Sequence, residues 1–287
     1  MYVITGATGK LGSQIVERLL TRVPARDVGV NVRDVTKAAP LAERGVRVRA
    51  GDFTDPAGLA HAFEGAQKVL VVSAALLGAE AVAANRAAID AAHAAGAERI
   101  LYTSHQAASR HSQFAPQPVH AQTEEHLAGL GVPFTALRNG FYASALSFYI
   151  GDALQTGRLV APADGPVSWT AHADLAEVAA IAVTQDGALD GVTAPLTASE
   201  ALDLQAVADV LSDITGRTIT RTVIDDEDWK AAASRRGMPA AAVDHMLGMY
   251  HAARRGEFAV TDPTLETLIG RCATPVRTAL QVIASRP

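Results

Sequence analysis

Glycines at positions 6, 9 and 12 sit between a short apolar run and a helical hydrophobic period, and no other stretch restricts the fold as strongly. Tyr2 to Thr5 reads as a strand. From Leu11 onward, Ile15, Val16, Leu19 and Leu20 recur at helical spacing until Pro24 closes the segment. Strand, glycine turn and helix therefore follow one another without a gap. Gly6 permits the sharp turn, Gly9 leaves room where a diphosphate would approach, and Gly12 lets the helix lie close on the sheet. The free N–H groups around Thr8, Lys10 and Leu11 and the positive helix end then face an anion. None of the lysines is followed by Ser or Thr, so a triphosphate loop does not fit, whereas a dinucleotide does.

The alternation continues. Val28 to Val32, Val46 to Arg49, Lys68 to Val72, Arg99 to Thr103 and Phe134 to Leu137 read as strands, with helices at Glu80 to Ala95 and Gln122 to Leu130. Short connections between these elements predict an α/β fold with a doubly wound parallel sheet covered on both faces. After about residue 140 the pattern loosens. Helices are expected at Ala171 to Val183 and Leu204 to Thr215, a strand at Thr218 to Ile224, and a mainly helical stretch at Asp226 to Met249. The expected division is a dinucleotide domain over 1–150, with 165–195 returning to it, and a smaller C-terminal α/β substrate lobe over 151–287.

Composition narrows the class. Hydrophobic residues form 49% of the chain and charged ones 19%, enough for a core and too apolar for disorder. A net charge of -5 argues against a nucleic-acid partner. The single cysteine, Cys272, excludes a disulfide framework and a thiolate cluster. The longest apolar stretch, Val69 to Ala79, is well below the roughly 20 residues that span a bilayer. With no basic segment before the first strand, a cytoplasmic protein is expected. A homodimer is left open.

The end of the second strand selects the dinucleotide. Arg33 stands where an arginine would grip a ribose 2′-phosphate, which favours NADPH; Asp34, turned inward, would instead hold the ribose of NADH. After the third strand come Asp52 and Phe53. Asp52 either accepts a hydrogen bond from an adenine amino group or leaves that loop to a plain cap at Asp55 and Pro56.

These residues resemble the NmrA-like branch of the atypical short-chain dehydrogenases, and within it the bacterial NAD(P)H:quinone reductases. Ile4 to Gly12, Val32-Arg33-Asp34, Tyr102-Thr103-Ser104 and Leu137-Arg138-Asn139-Gly140-Phe141-Tyr142 carry the likeness. It implies a Rossmann-type sheet, with Ser73 and Ala74 along the cofactor and Asn139, Gly140, Phe141 and Tyr142 bordering nicotinamide and substrate. One feature of ordinary short-chain dehydrogenases is missing. None of the five tyrosines has a lysine four residues on, and the helix that should carry that pair reads His120 to Glu124. Alcohol–ketone exchange, which needs a delivered proton, is therefore disfavoured.

A quinone removes the need, because hydride addition gives a delocalised hydroquinone anion that water protonates. The expected activity is thus an NAD(P)H-dependent reductase for a quinone or similar planar acceptor. Two alternatives stay open: a polycyclic quinone whose hydroquinone reacts with O2 to give net hydroxylation, and a non-catalytic redox sensor. Phe141, Tyr142 and Trp169 are candidate walls for a flat ring, or ordinary core. Ser104, at the end of the fifth strand, reaches a quinone oxygen or caps a loop, and His105 is a candidate substrate contact. His120, oriented by Glu124, is a candidate donor to an oxyanion, against a solvated helix-surface pair. The histidines at 105, 111, 120 and 126 lack zinc spacing, so no metal is expected.

Overall fold

The computed structural model of the chain describes residues 1–285. Its first half runs β1 (Tyr2–Thr5), α1 (Lys10–Leu20), β2 (Val28–Val32), α2 (Ala39–Glu43), β3 (Arg47–Ala50), α3 (Pro56–Phe63), β4 (Lys68–Val71), α4 (Gly78–Ala94), β5 (Arg99–His105), α5 (Pro116–Gly129) and β6 (Phe134–Asn139). There follow β7 (Phe141–Tyr142), α6 (Leu146–Tyr149), α7 (Ala153–Thr156), β8 (Arg158–Ala161), β9 (Trp169–Thr170), α8 (His172–Thr184) and β10 (Gly191–Val192). The chain ends with α9 (Leu204–Thr215), β11 (Thr220–Val223), α10 (Asp226–Arg235), α11 (Ala240–Arg254), α12 (Thr264–Ile269) and α13 (Val276–Ala284).

Seven parallel strands form one sheet in the order β10-β6-β5-β4-β1-β2-β3. The chain first winds outward from β1 to β3, then crosses to β4 on the other side of β1. The crevice above the β1/β4 boundary is the switch point, where open α/β sheets take their ligands. Successive side chains go to opposite faces. Ile4, Leu70 and Leu101 pack with α1 and α8, while Val3, Val69, Val71, Ile100 and Tyr102 pack under α3 and α4. This is the Rossmann-type arrangement.

A third apolar cluster joins Phe141, Tyr149, Trp169, Trp229, Tyr250 and Phe258 with residues of α9, α11 and α13. Two parallel strand pairs, β8 with β11 and β7 with β9, border it. Asp174, fully buried at the start of α8, ties the late chain to the sheet half. It accepts from Arg271 Nη2 at 2.6 Å and from the Thr274 N–H at 2.6 Å. No helix among the described residues is long and apolar enough to cross a membrane.

Several elements differ from the sequence reading. Helix α5 begins at Pro116 rather than Gln122, because Pro116 and Pro118 stand in its first turn, where a missing N–H costs nothing. The stretch 226–249 is two helices, broken at Gly237 with φ +82° and at Pro239. Strands β5 and β6 each run two residues further, pairing Ser104 with Arg138 and His105 with Asn139.

Candidate active site

The glycine turn is built as its spacing requires. Gly6 has φ +61°, in the left-handed region. A Cβ on Gly12 would lie 2.2 Å from the Gly6 carbonyl oxygen, so only glycine lets α1 approach β1 this closely. A Cβ on Gly9 would meet only Gly6 O, at 3.2 Å, and otherwise project into open space. Helix α1 starts without a side-chain cap or an acidic residue in its first turn. Gly6, Thr8, Gly9 and Lys10 are exposed there, while Leu11 and Gly12 are buried beneath. An uncapped, acid-free helix start beside a side-chain-free surface fits a dinucleotide diphosphate.

Arg33, exposed at the end of β2, makes no hydrogen bond or ion pair among the described residues. Asp34 does not turn inward. Its Oδ1 accepts from the Thr36 N–H at 3.0 Å and the Thr36 hydroxyl at 2.6 Å, and these bonds hold its carboxyl below the usual range. Asp52 is occupied in the same way by Thr54, at 2.9 and 2.7 Å, and Asp55 caps α3 through the Ala57 N–H. Phe53 is half-buried against the cluster under α3.

Beyond β4 the chain is strapped to its neighbours one amide at a time. The N–H of Val72 donates to Thr5 Oγ1, that of Ser73 to Thr103 Oγ1 and that of Ala74 to Asn85 Oδ1, each at 2.9 Å. Ser73 and Ala74 then form one wall of a cleft of about 260 Å3. Leu76 and Leu77 extend that wall, His120 of α5 faces it, and His245 of α11 closes it from the C-terminal cluster.

His120 places Nδ1 2.8 Å from the Tyr102 hydroxyl, and burial pushes its pKa down to about 4. His105 lies behind it, ring centroids 6.0 Å apart, with Nδ1 2.7 Å from Gln117 Nε2. Burial, and then the neighbouring His120, hold the His105 pKa well below the ordinary value. Both imidazoles are neutral at pH 7. Burial pushes the Tyr102 phenol upward, opposite to the shift a proton-donating tyrosine needs.

Several sequence expectations are corrected here. Glu124 does not orient His120, and neither is a solvated surface group. Glu124 is 5% exposed, receives Arg138 Nε at 2.9 Å and Nη2 at 2.7 Å, and accepts the Ser104 hydroxyl at 2.6 Å. Ser104, 2% exposed and committed to that carboxylate, is part of a buried polar cluster under the cleft. Trp169 is no wall for a flat ring: it is fully buried, donates Nε1–H to Leu202 O at 3.0 Å and packs edge-on to Phe141. Phe141 is itself enclosed between Trp169, Phe114 and His105.

Gly140 has a packing reason, since a Cβ there would meet Thr170 Oγ1 at 2.1 Å. Asn139 is buried, with Oδ1 unpartnered among the described residues. Tyr142 lies against His172, ring centroids 4.3 Å apart. The surrounding histidines form no metal cluster among the described residues, and His126 pairs with Asp90. Sequence reasoning missed Asn85, Tyr102 and His245. Asn85 carried a signal, as a polar residue on the buried stripe of an alanine-rich helix beside Ala81, Ala84, Ala88 and Ile89. His245 carried none.

A family model for the NmrA-like family matches residues 2–280. The chain belongs to the NmrA-like family. It is 34% identical over 278 residues to quinone oxidoreductase 2 of Escherichia coli (strain K12), covering 96% of this chain and 95% of that protein. It superposes on the structure of an NADPH-dependent quinone oxidoreductase from Escherichia coli complexed with NADPH at a TM-score of 0.92, with 32% identity, covering 98% of this chain and 99% of that one. The Citrobacter sp. triphenylmethane reductase complexed with NADP(H) gives 0.90 and 30%, covering 99% of this chain and 100% of that one.

Proposed function

We propose that this NmrA-like protein is an NADPH-dependent reductase that passes hydride to a quinone or a comparable planar, conjugated acceptor. Gly6 to Gly12 would hold the diphosphate and Arg33 the 2′-phosphate, with Ser73 and Ala74 along the cofactor toward the cleft. Relatives of similar length, an NADPH-dependent quinone oxidoreductase and a triphenylmethane reductase complexed with NADP(H), support the reading. Quinones and triphenylmethane cations are both electron-poor conjugated systems that accept hydride without a proton delivered in the same step.

One observation supports the acceptor class: the polar side chains that line the cleft include the neutral Asn85 and His120 and no lysine. Position 124, where the relay lysine would stand, is a glutamate locked to Arg138 and Ser104. The neighbouring phenol of Tyr102 is pushed up, not down. Such a site suits an acceptor whose reduced form is a stabilised anion needing no immediate proton. Reduced nicotinamide would supply the hydride; the chain's own part is to align the flat acceptor, exclude water with Leu76 and Leu77, and donate a hydrogen bond from His120. The test is to mix the protein with NADPH and a panel of quinones and follow the reduced-nicotinamide absorbance. Oxidation with planar quinones but not with simple ketones is expected; tight NADPH binding with no oxidation by any acceptor would defeat the reading.

A further inference from the structure

The buried polar chain behind His120 decides which of its nitrogens carries the proton. It begins at the Ala74 N–H, which can only donate, so the Asn85 atom 2.9 Å away must be the carbonyl Oδ1. That fixes the amide, and Asn85 Nδ2 points to the Tyr102 oxygen at 3.2 Å and to Thr123 Oγ1 at 3.5 Å. The Thr123 hydroxyl hydrogen is used on Val119 O at 2.8 Å. The Tyr102 oxygen therefore accepts from Asn85, and of the two acceptors beside its own hydrogen, Thr123 Oγ1 and His120 Nδ1, it is His120 Nδ1 that lies in hydrogen-bond geometry, at 2.8 Å. A neutral imidazole that accepts at Nδ1 carries its proton at Nε2. That nitrogen has no hydrogen bond among the described residues, and the ring borders the cleft.

We propose that Asn85 and Tyr102 are positioning residues that hold His120 as its Nε2–H tautomer, so that this N–H donates to the acceptor oxygen that becomes anionic on reduction. The assignment of tautomer stands on hydrogen-bond logic alone; the donor role rests on the reductase reading above. Proton balance is simple. Hydride brings one hydrogen and two electrons to the acceptor, the oxygen takes its proton from water, and His120 keeps its own. The geometry also explains why a full amide is buried in an otherwise alanine-rich helix. Asn85 is 1% exposed, and each of its polar atoms is engaged.

The imidazole nitrogen shifts of His120, read by long-range 1H–15N spectra of histidine-labelled protein with the His120→Gln variant for assignment, test the tautomer without turnover. The Nε2–H form is expected; an Nδ1–H form in the unaltered protein overturns the proposal. Asn85→Asp is the sharper probe. It keeps an acceptor for Ala74 but removes the donor to Tyr102, so the phenol turns its hydrogen to the carboxylate and draws the His120 proton to Nδ1.

A switch to Nδ1–H, with quinone turnover down about tenfold and an unchanged KM for NADPH, supports the proposal. An unchanged tautomer overturns the relay, and a switched tautomer with unchanged turnover overturns the donor role. Tyr102→Phe, which only removes the hydroxyl, provides a second route and is expected to give a mixture of tautomers. Protein that shows the Nε2–H form yet oxidises no NADPH would defeat the reductase reading while leaving the relay intact.

Discussion

Glu124 and Arg138 meet side by side, Oε1 with Nε at 2.9 Å and Oε2 with Nη2 at 2.7 Å. The two-pronged contact is planar and charge-assisted, and it raises the Arg138 pKa above its ordinary value. The pair links the middle of α5 to the end of β6. It thus fixes the helix that carries His120 against the strand that leads into Asn139 and Gly140.

Replacing Glu124 with Ala would leave Arg138 and the Ser104 hydroxyl without their acceptor. Breaking a buried pair commonly costs about 3–5 kcal/mol, but the Arg138 side chain keeps 29% exposure, so a loss of about 2–3 kcal/mol is expected. Denaturant unfolding measures it. Glu124→Gln, which keeps the Ser104 contact, should lose less; equal losses would show that charge alone holds the pair.

Arg33→Ala should raise the KM for NADPH while leaving that for NADH nearly unchanged. Charge-assisted hydrogen bonds of about 1.5–3 kcal/mol would be lost, which corresponds to roughly tenfold to a hundredfold. Asp34 is tied to Thr36, so it does not substitute as a ribose ligand and NADH should gain nothing. Steady-state kinetics with both nucleotides decides; equal effects would remove the 2′-phosphate role.

The glycine turn and the parallel sheet were legible in the sequence because each rests on local pattern. Gly6 and Gly9 fall directly between β1 and α1 with Gly12 in the first turn of α1, and the buried strand β4 shows as the apolar run Val69-Leu70-Val71. The site beyond the turn was harder to read. Ser104, Glu124 and Arg138 are separated in sequence: the pairing of β5 with β6 sets Ser104 beside Arg138, and α5 brings Glu124 to both. Trp169 reads the same whether it lines a cleft or fills a core, and its full burial and its bond to Leu202 O separate the two. His120 was identified, but its partner was assigned by helical spacing to Glu124. The true partner, Tyr102, comes from the neighbouring strand.

Acid should weaken the fold before it affects His120 in catalysis. His120 and His172 have folded pKa values near 4, against about 6.5 in an unfolded chain. Between those values the unfolded state binds more protons, so stability rises with pH there and falls on acidification. Melting temperature should drop by several degrees from pH 7 to pH 5, whereas turnover between pH 6 and 9 should show no step from His120. A kinetic step near pH 6.5 removed by His120→Gln would contradict the burial-driven shift.

Gly9 and Gly12 separate a binding role from a folding one. In Gly12→Ala the new methyl would stand 2.2 Å from Gly6 O and 2.8 Å from Gly6 C, so α1 or the turn must move. Melting temperature and NADPH affinity should fall together. In Gly9→Ala the methyl approaches only Gly6 O at 3.2 Å and otherwise points outward, into the space assigned to the diphosphate. The protein should fold with little change in melting temperature yet bind NADPH at least tenfold more weakly, about 1.4 kcal/mol, as calorimetric titration would read. If Gly9→Ala bound NADPH normally, the diphosphate would have to lie elsewhere on the chain.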